Sequence, residues 1–395
     1  MMFQAVLSNR DHPEYGVATI PFPIPHDQYA HCMELLEALE IGDAVKADCK
    51  VEKIDSFYTV LKRTEMLTVN VEELNYLAKR LDSFDTGEAA QFQAMAHKLE
   101  LFELKDLINL TFCCQQATVI TDFSDLAAVG RDHYMNLHGG SAKTEELDAL
   151  DGKGIARQLI ENGGGTITPY GVVYDNGMKL DQLYDGRFFP CYYYEPNAIT
   201  VAATSKNEPE DTKHITWLHL PMIQEEIDRA LLRGGITDPS EIRLSLEDSW
   251  LPHEVLDLLD MDHVDISELN ALVQALDEFS DMSIRKYAAA AVMARPHTTE
   301  QAKHLAENLD LFDFAPSAST PEEYGKYMIQ QSGRFEYDEN LDAFYDYEKY
   351  GLERMNAEDG MFTDRGYIAY KGYYSMEEVM NGNQSSCMEM GGLSR

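Results

Sequence analysis

The stretch VEELNYLAKRLDSF, residues 71–84, returns in altered form as ISELNALVQALDEF, residues 266–279, at a shift of 195 residues. Val71, Leu74, Leu77, Ala78, Leu81 and Phe84 recur at helical spacing, as do Ile266, Leu269, Leu272, Val273, Leu276 and Phe279, so each copy predicts an amphipathic helix burying one face. Asn70 with Glu73, and Asp265 with Glu268, have the spacing of an N-cap and its capping-box partner. One such match could be two similar helices. Other landmarks, however, keep almost the same shift: Gly130-Arg131 falls on Gly325-Lys326, and Gly165, Thr168 and Gly171 fall on Gly360, Thr363 and Gly366. LDAL from Leu147 corresponds to LDAF from Leu341, KLDQLYDG ending at Gly186 to SMEEVMNG ending at Gly382, and Pro13-Glu14 to Pro209-Glu210. Independent helices have no reason to share a shift. The chain therefore reads as two diverged copies of one unit, with a boundary near Glu195 and Pro196.

Each copy has the same coarse order of elements. FQAVLSN and VATIPFPI, or ITVAATS and ITWLHLPM, are short β-rich runs separated by a polar, proline-containing turn, which predicts an antiparallel hairpin. A helical middle follows, with further helices expected over Glu88–Leu110 and Met282–Leu309. The glycine-punctuated ends TITPYGVVYDN and MFTDRGYIAYKG read as a turn and a strand. The expected class is α+β in two tandem repeats. The first unit, 1–195, divides into a hairpin region over about 1–60, a helical middle over about 70–110 and a mixed end over about 111–190. The second, 196–395, divides at about 199–250, 262–309 and 310–384.

The charge is as informative as the repeat. The 395 residues hold 69 acids against 32 bases, a formal net charge of -37. Residues 1–195 carry 31 acids and 16 bases, and residues 196–395 carry 38 and 16, so acidity belongs to the unit and not to a tail. From Leu244 to Ile284, 41 residues contain eleven acids and no Lys or Arg. Within that window lie Asp260, Asp262, Asp265, Glu268, Asp277, Glu278 and Asp281. Surface helices ordinarily intersperse both signs, because like charges three or four residues apart repel. A field of this sign steers association toward cationic partners and disfavours direct binding of nucleic acid. With 44 % hydrophobic residues the chain can still bury a core and does not read as an acidic disordered tail.

A second concentration runs from Phe335 to Gly360, where Glu336, Asp338, Glu339, Asp342, Asp346, Glu348, Glu353, Glu358 and Asp359 are interleaved with Phe and Tyr. It can be read as an amphipathic helix with a core face. It can equally be an interaction surface, since aromatics anchor contacts and carboxylates supply the sign.

Catalytic and metal patterns are weak by comparison. Carboxylate pairs are so abundant that no single pair argues for acid–base chemistry. HGG at His138 and ENGGGT at Glu161 match neither phosphate-loop pattern and read as turns; no G-x-S-x-G elbow occurs. Cys32, Cys49, Cys113, Cys114, Cys191 and Cys387 show no C-x-x-C spacing, so reduced thiols are expected, with no metal and no cofactor. No apolar run approaches a membrane span and the first residues lack a leader pattern, so a cytoplasmic protein without enzymatic activity is expected.

LDAFYDYEKYGLERMNAEDGMFTDRGYIAY, with its D-Y-x-x-Y-G core at Asp346–Gly351 and its terminal glycine turn, resembles the C-terminal signature of the ArdA-type antirestriction proteins. Tyr347, Tyr350, Gly351 and Gly366 carry that signature. The ELN-x-L starts at Glu73 and Glu268 are similar to the family's middle-domain helix, and PEYGVATIPFPI from Pro13 to its N-terminal hairpin. The first copy departs from the pattern, with DGKGIA where D-Y-x-x-Y-G would stand. The resemblance implies an elongated, curved DNA mimic whose carboxylates stand in for duplex phosphates. Its partner would be the DNA-binding groove of a type I restriction-modification enzyme, in a bacterial host of a conjugative or other mobile element. Another basic DNA-binding protein is an alternative partner. Duplex DNA carries about one charge per 1.7 Å, so the net charge matches on the order of 60 Å of duplex as an upper bound. Family members commonly dimerise, so the tandem copies are expected to form a pseudo-dimer in one chain, or the chain a homodimer. Competing readings are an acidic scaffold or chaperone for basic proteins, indifferent to where its carboxylates lie, and an enzyme with a cleft between the repeats.

Overall fold

In this computed structural model the described residues are 2–193, 197–334 and 336–382. The expected boundary at Glu195 and Pro196, together with Phe335 and Cys387, lies outside them. Two compact units are formed: unit 1 holds Met1–Glu195, Lys213–Thr216 and Glu225–Gly235, and unit 2 holds Pro196–Thr212, Trp217–Gln224 and Ile236–Arg395. The class is α+β, with several small antiparallel sheets.

Unit 1 begins with β1 (Phe3–Asn9) and β2 (Val17–Phe22), the expected antiparallel hairpin, registered Phe3 opposite Phe22 and Leu7 opposite Ala18. Period-two alternation puts Phe3, Ala5 and Leu7 into the core from one face. The sheet is larger than a hairpin. After α1 (Tyr29–Glu37), β3 (Cys49–Ser56) pairs antiparallel with β1, and β4 (Thr68–Val69) closes the order β2-β1-β3-β4. CKVEKIDS alternates apolar and charged residues, which is the pattern of a strand with one face in the core.

The helical middle starts at α2 (Val71–Asp82), where Val71, Leu74, Leu77, Ala78 and Leu81 are buried as their spacing predicts. Asn70 caps it, its Oδ1 accepting from the N–H groups of Glu72 and Glu73. Glu73 does not complete a capping box; its carboxylate accepts the Tyr184 hydroxyl at 2.7 Å. The helical stretch expected over 88–110 holds α3 (Thr86–Lys98) and α4 (Leu104–Leu110), separated where Glu100 turns to φ 55. The mixed end holds β5 (Thr118–Ile120), α5 (Leu126–Leu137), α6 (Thr144–Asp148), α7 (Gly152–Glu161), β6 (Thr166–Thr168) and β7 (Gly171–Tyr174), in a sheet ordered β5-β7-β6. Ile120, Val129, Ala156 and Tyr174 form its core. The last helix of unit 1 comes from later in the chain: α8 (Gln224–Gly234).

Unit 2 opens with β8 (Ile199–Ser205) flanked by β9 (Thr216–Leu220) and by β10 (Ile242–Ser249), which runs antiparallel to it. A short α9 (His253–Leu256) precedes α10 (Ile266–Asp277), whose Ile266, Leu269, Leu272, Val273 and Leu276 are buried. Here too the helical stretch expected over 282–309 is divided, into α11 (Asp281–Ala294) and α12 (Thr299–Glu307). Arg295 ends α11 in the left-handed region at φ 55, the following Pro296 cannot continue a helix, and Thr298 caps the next one. The unit finishes with β11 (Phe312–Pro316), α13 (Pro321–Gln330), α14 (Tyr347–Ala357), β12 (Asp359–Thr363), β13 (Gly366–Tyr370) and α15 (Met376–Met380), in a sheet ordered β11-β13-β12.

The closing strands of both units form hairpins with one turn chemistry. The Thr168 hydroxyl donates to Gly171 O and accepts from Tyr170 N, and the Thr363 hydroxyl does the same with Gly366 O and Arg365 N. Gly366 stands at φ 143, and a Cβ there would lie 2.2 Å from Ala315 O. Only glycine fits both constraints.

Candidate acidic interaction surface

Unit 2 contains every acid singled out in the sequence. Asp260 and Asp262 lie in the turn after α9, Asp265 caps α10, and Glu268 sits in its first turn. Asp277 and Glu278 end α10, and Asp281 starts α11. All seven are exposed, because the apolar stripe of α10 takes the opposite face to the core. Asp260 is held below the usual carboxylate range by the bond from His263 Nδ1 at 2.8 Å.

The second concentration is not one helix. A short 3-10 segment, Glu339–Phe344, is followed by α14, which starts afresh where Asp346 accepts from Lys349 N. The short side chains of Asp338 and Asp346 each cap a turn, which breaks the expected continuous helix. Glu336, Asp338, Glu339, Asp346, Glu348, Glu353 and Asp359 are exposed. The other two acids are half-buried and engaged within the fold. One oxygen of Asp342 accepts from Tyr337 Oη at 2.6 Å, Tyr347 Oη at 2.5 Å and Gln330 Nε2 at 2.8 Å, and these hydroxyls, Tyr337 first, lower its carboxyl below the ordinary value. Glu358 accepts the Tyr324 hydroxyl at 2.6 Å and pairs with Arg354. The predicted set thus divides into fourteen exposed carboxylates and two that organise the fold.

The signature residues have structural roles. Tyr347 holds Asp342, and Tyr350 packs on the cluster of Ala315, Tyr324, Met328 and Tyr367. Gly351 is buried where α13 crosses α14, and Gly366 starts β13.

Cations are used elsewhere. In unit 2, Arg365 forks onto Glu254 at 2.7 and 3.0 Å, Arg334 and Lys371 share Asp313, and Arg354 takes Glu358. In unit 1, Arg80 lies 4.2 Å from the ring centres of both Phe112 and Tyr192, and bonds Thr111 Oγ1 and O. Among the described residues, none of the fourteen exposed carboxylates is ion-paired to Lys or Arg. What the solvent meets on α10 is negative charge with no Lys or Arg in the helix, the complement of a basic groove, whereas α14 sets the exposed Lys349 among its carboxylates.

Two asparagines of the repeated ELN motif escaped the sequence reading. Asn75 Oδ1 accepts from Ile24 N at 2.8 Å, while Asn270 accepts from Met222 N at 2.9 Å and donates to Met222 O at 2.8 Å. Each pins the segment that follows the second strand of its sheet. A polar residue repeated beside an apolar helical stripe was the available signal.

Residues 212–369, 158 of the 395, match the family model described as Antirestriction protein (ArdA). The matched segment contains all the acids above and the four signature residues, and it supports an antirestriction protein of the ArdA type. Among curated proteins, none matches the chain. No helix among the described residues is long and apolar enough to cross a membrane.

Proposed function

We propose that this chain is an antirestriction protein that acts as a DNA mimic, occupying the DNA-binding groove of a type I restriction-modification enzyme without doing chemistry of its own. The match of residues 212–369 to the antirestriction family carries this reading. The exposed carboxylates of α10 and α14 that no Lys or Arg pairs with among the described residues support the mimicry, because a groove lined with cations for phosphates is complemented by negative charge, whose attraction offsets the cost of desolvating those cations. We further propose that the two halves are diverged copies of one unit forming a pseudo-dimer in one chain. The parallel sheet orders, the matched Thr-Gly hairpins and the paired asparagine clamps support that reading. The setting would be the cytoplasm of a bacterium receiving mobile DNA.

Displacement of labelled duplex from a purified type I methyltransferase, titrated at low and moderate salt, tests it. Release at near-stoichiometric protein, weakened by salt, is expected. No release at any concentration would remove this target. Light scattering that finds an obligate dimer of full-length chains would count against the pseudo-dimer.

A further inference from the structure

Unit 1 contains a helix that the first half of the sequence does not encode. α8, QEEIDRALLRG, places Ile227 and Leu231 four residues apart and buries both, and it places Arg229 and Arg233 four apart on a neighbouring stripe. Among the described residues, the hydrogen-bond acceptors of both guanidiniums lie between residues 42 and 187. Arg229 donates to Glu72 Oε1 at 2.6 Å and to Gly42 O at 2.8 Å. Arg233 is only 4 % exposed; it donates to Ala44 O at 2.8 Å, Asn70 Oδ1 at 3.0 Å, Arg187 O at 2.9 Å, Gly186 O at 3.3 Å and the Tyr184 hydroxyl. The Phe189 ring covers the same guanidinium at 4.5 Å.

A buried guanidinium is costly unless its donors are satisfied. Here two side-chain acceptors are already oriented by unit 1 itself. Asn70 Oδ1 caps α2 while it receives Arg233, and the Tyr184 hydroxyl, donating to Glu73, turns its lone pairs toward the arginine. Burial works against the charge of Arg229, but Glu72, Tyr29 and Glu225 together outweigh it and the guanidinium is held more basic than usual. Preorganised acceptors around a fixed fork make the contact selective for arginine over lysine. α1, the other helix that follows the second strand of a sheet, has no Lys or Arg and could not supply it.

We propose that residues 1–195 present a groove that receives an amphipathic helix bearing arginines four residues apart, and that residues 225–235 fill it in cis. The first half of the chain is thus completed by a helix encoded in the second, and the two copies cannot be separated at the sequence midpoint without loss of core. The inference does not depend on what the protein inhibits.

Hydrogen exchange on the full-length chain tests it. In Arg233→Met, peptides covering 225–235, 70–73 and 184–189 should exchange at least tenfold faster, with the hairpin at 359–370 unchanged. Tyr184→Phe, a milder change, should give the same pattern with smaller acceleration, and it decides the matter if the arginine variant does not fold. Acceleration confined to 225–235 would overturn the proposal, since the helix would then merely rest on a surface that does not need it. Uniform acceleration in both units would overturn it as well. Cross-linking of an equilibrated mixture of light and heavy chains should join 225–235 to residues 42–73 within one isotope only; mixed links would overturn docking in cis.

Discussion

Gly351 of α14 stands against Gly325 of α13 so closely that a Cβ on Gly351 would lie 1.9 Å from Pro321 O, and one on Gly325 would lie 2.0 Å from Tyr347 O. No side chain fits between these backbones. Gly351→Ala should therefore force the helices apart and cost about 1–3 kcal/mol, the range for overpacking. Chemical denaturation of the variant against the parent measures it. Unit 1 has a similar crossing, where a Cβ on Gly130 would lie 1.8 Å from Gly152 O. The first copy, which lacks D-Y-x-x-Y-G, keeps a close helix pair by moving one glycine to the start of α7.

The Glu254–Arg365 pair gives a pH dependence with a definite sign. The bond from Arg365 holds the Glu254 carboxyl below its ordinary value, and the Glu254 side chain is only 9 % exposed. A carboxyl whose folded pKa is depressed contributes stability above its unfolded pKa, about 4.3, and loses it as pH falls through the folded value. Glu254→Gln should be less stable than the parent by about 1 kcal/mol at pH 7, allowing for the partly exposed arginine. The difference should close as the pH falls through the lowered folded value. Denaturation midpoints measured at pH 7 and through the acid range check it, and a difference that persisted in acid would show that packing, not charge, accounts for the pair.

Asn270→Ala tests the motif that the sequence shows without explaining. The change removes the acceptor for Met222 N and the donor to Met222 O, and leaving such groups unmatched costs about 1–3 kcal/mol. Loss of stability on that scale, with the charge of the surface unaltered, is the expected outcome by thermal or chemical denaturation.

What could be read in advance follows from where the information lies. The α2 and α10 stripes and the hairpins declare themselves through periodicity, because their burial is local and regular. The exposed face of α10 could be read for the same reason, since acids opposite an apolar stripe must face water. Asp342 and Glu358 could not be told from their exposed neighbours, because their partners Tyr337, Gln330 and Tyr324 are fixed by tertiary packing. The splitting of 282–309 is legible in Arg295-Pro296, since a proline cannot continue the helix. Arg233, a cation in an acidic chain, gave no hint that its acceptors lay more than forty residues upstream, at positions such as Arg187 and Asn70.

That division of the acids predicts a contrast in binding. Glu348→Gln with Glu353→Gln removes two exposed charges and should weaken displacement of duplex on the order of tenfold at low salt, with stability within about 0.5 kcal/mol of the parent. Asp342→Asn should instead destabilise the segment around α14, because it weakens an acceptor of three donors. Duplex displacement and denaturation measured on both variants separate the effects. Equal binding by the double variant would remove these two carboxylates from the interaction surface.

The two copies of the middle helix also differ in a way that tests whether the acids cost stability. α2 ends with Lys79 and Arg80 in its last turn, whereas α10 has no base there and ends on Asp277 and Glu278. Carboxylates at a helix C-terminus meet the negative end of the helix dipole, which disfavours them by about 0.3–1 kcal/mol each at low salt. Both acids are exposed, and among the described residues neither is ion-paired to Lys or Arg. At the 195-residue shift, Glu278 falls on Ser83. Glu278→Ser with Asp277→Asn should therefore raise the stability of unit 2 at low salt, with the gain shrinking as salt screens the dipole. The same variant should displace duplex less well. Greater stability joined to weaker displacement would identify these carboxylates as retained for binding. A variant that gained stability and bound as well as the parent would remove the end of α10 from the interaction surface.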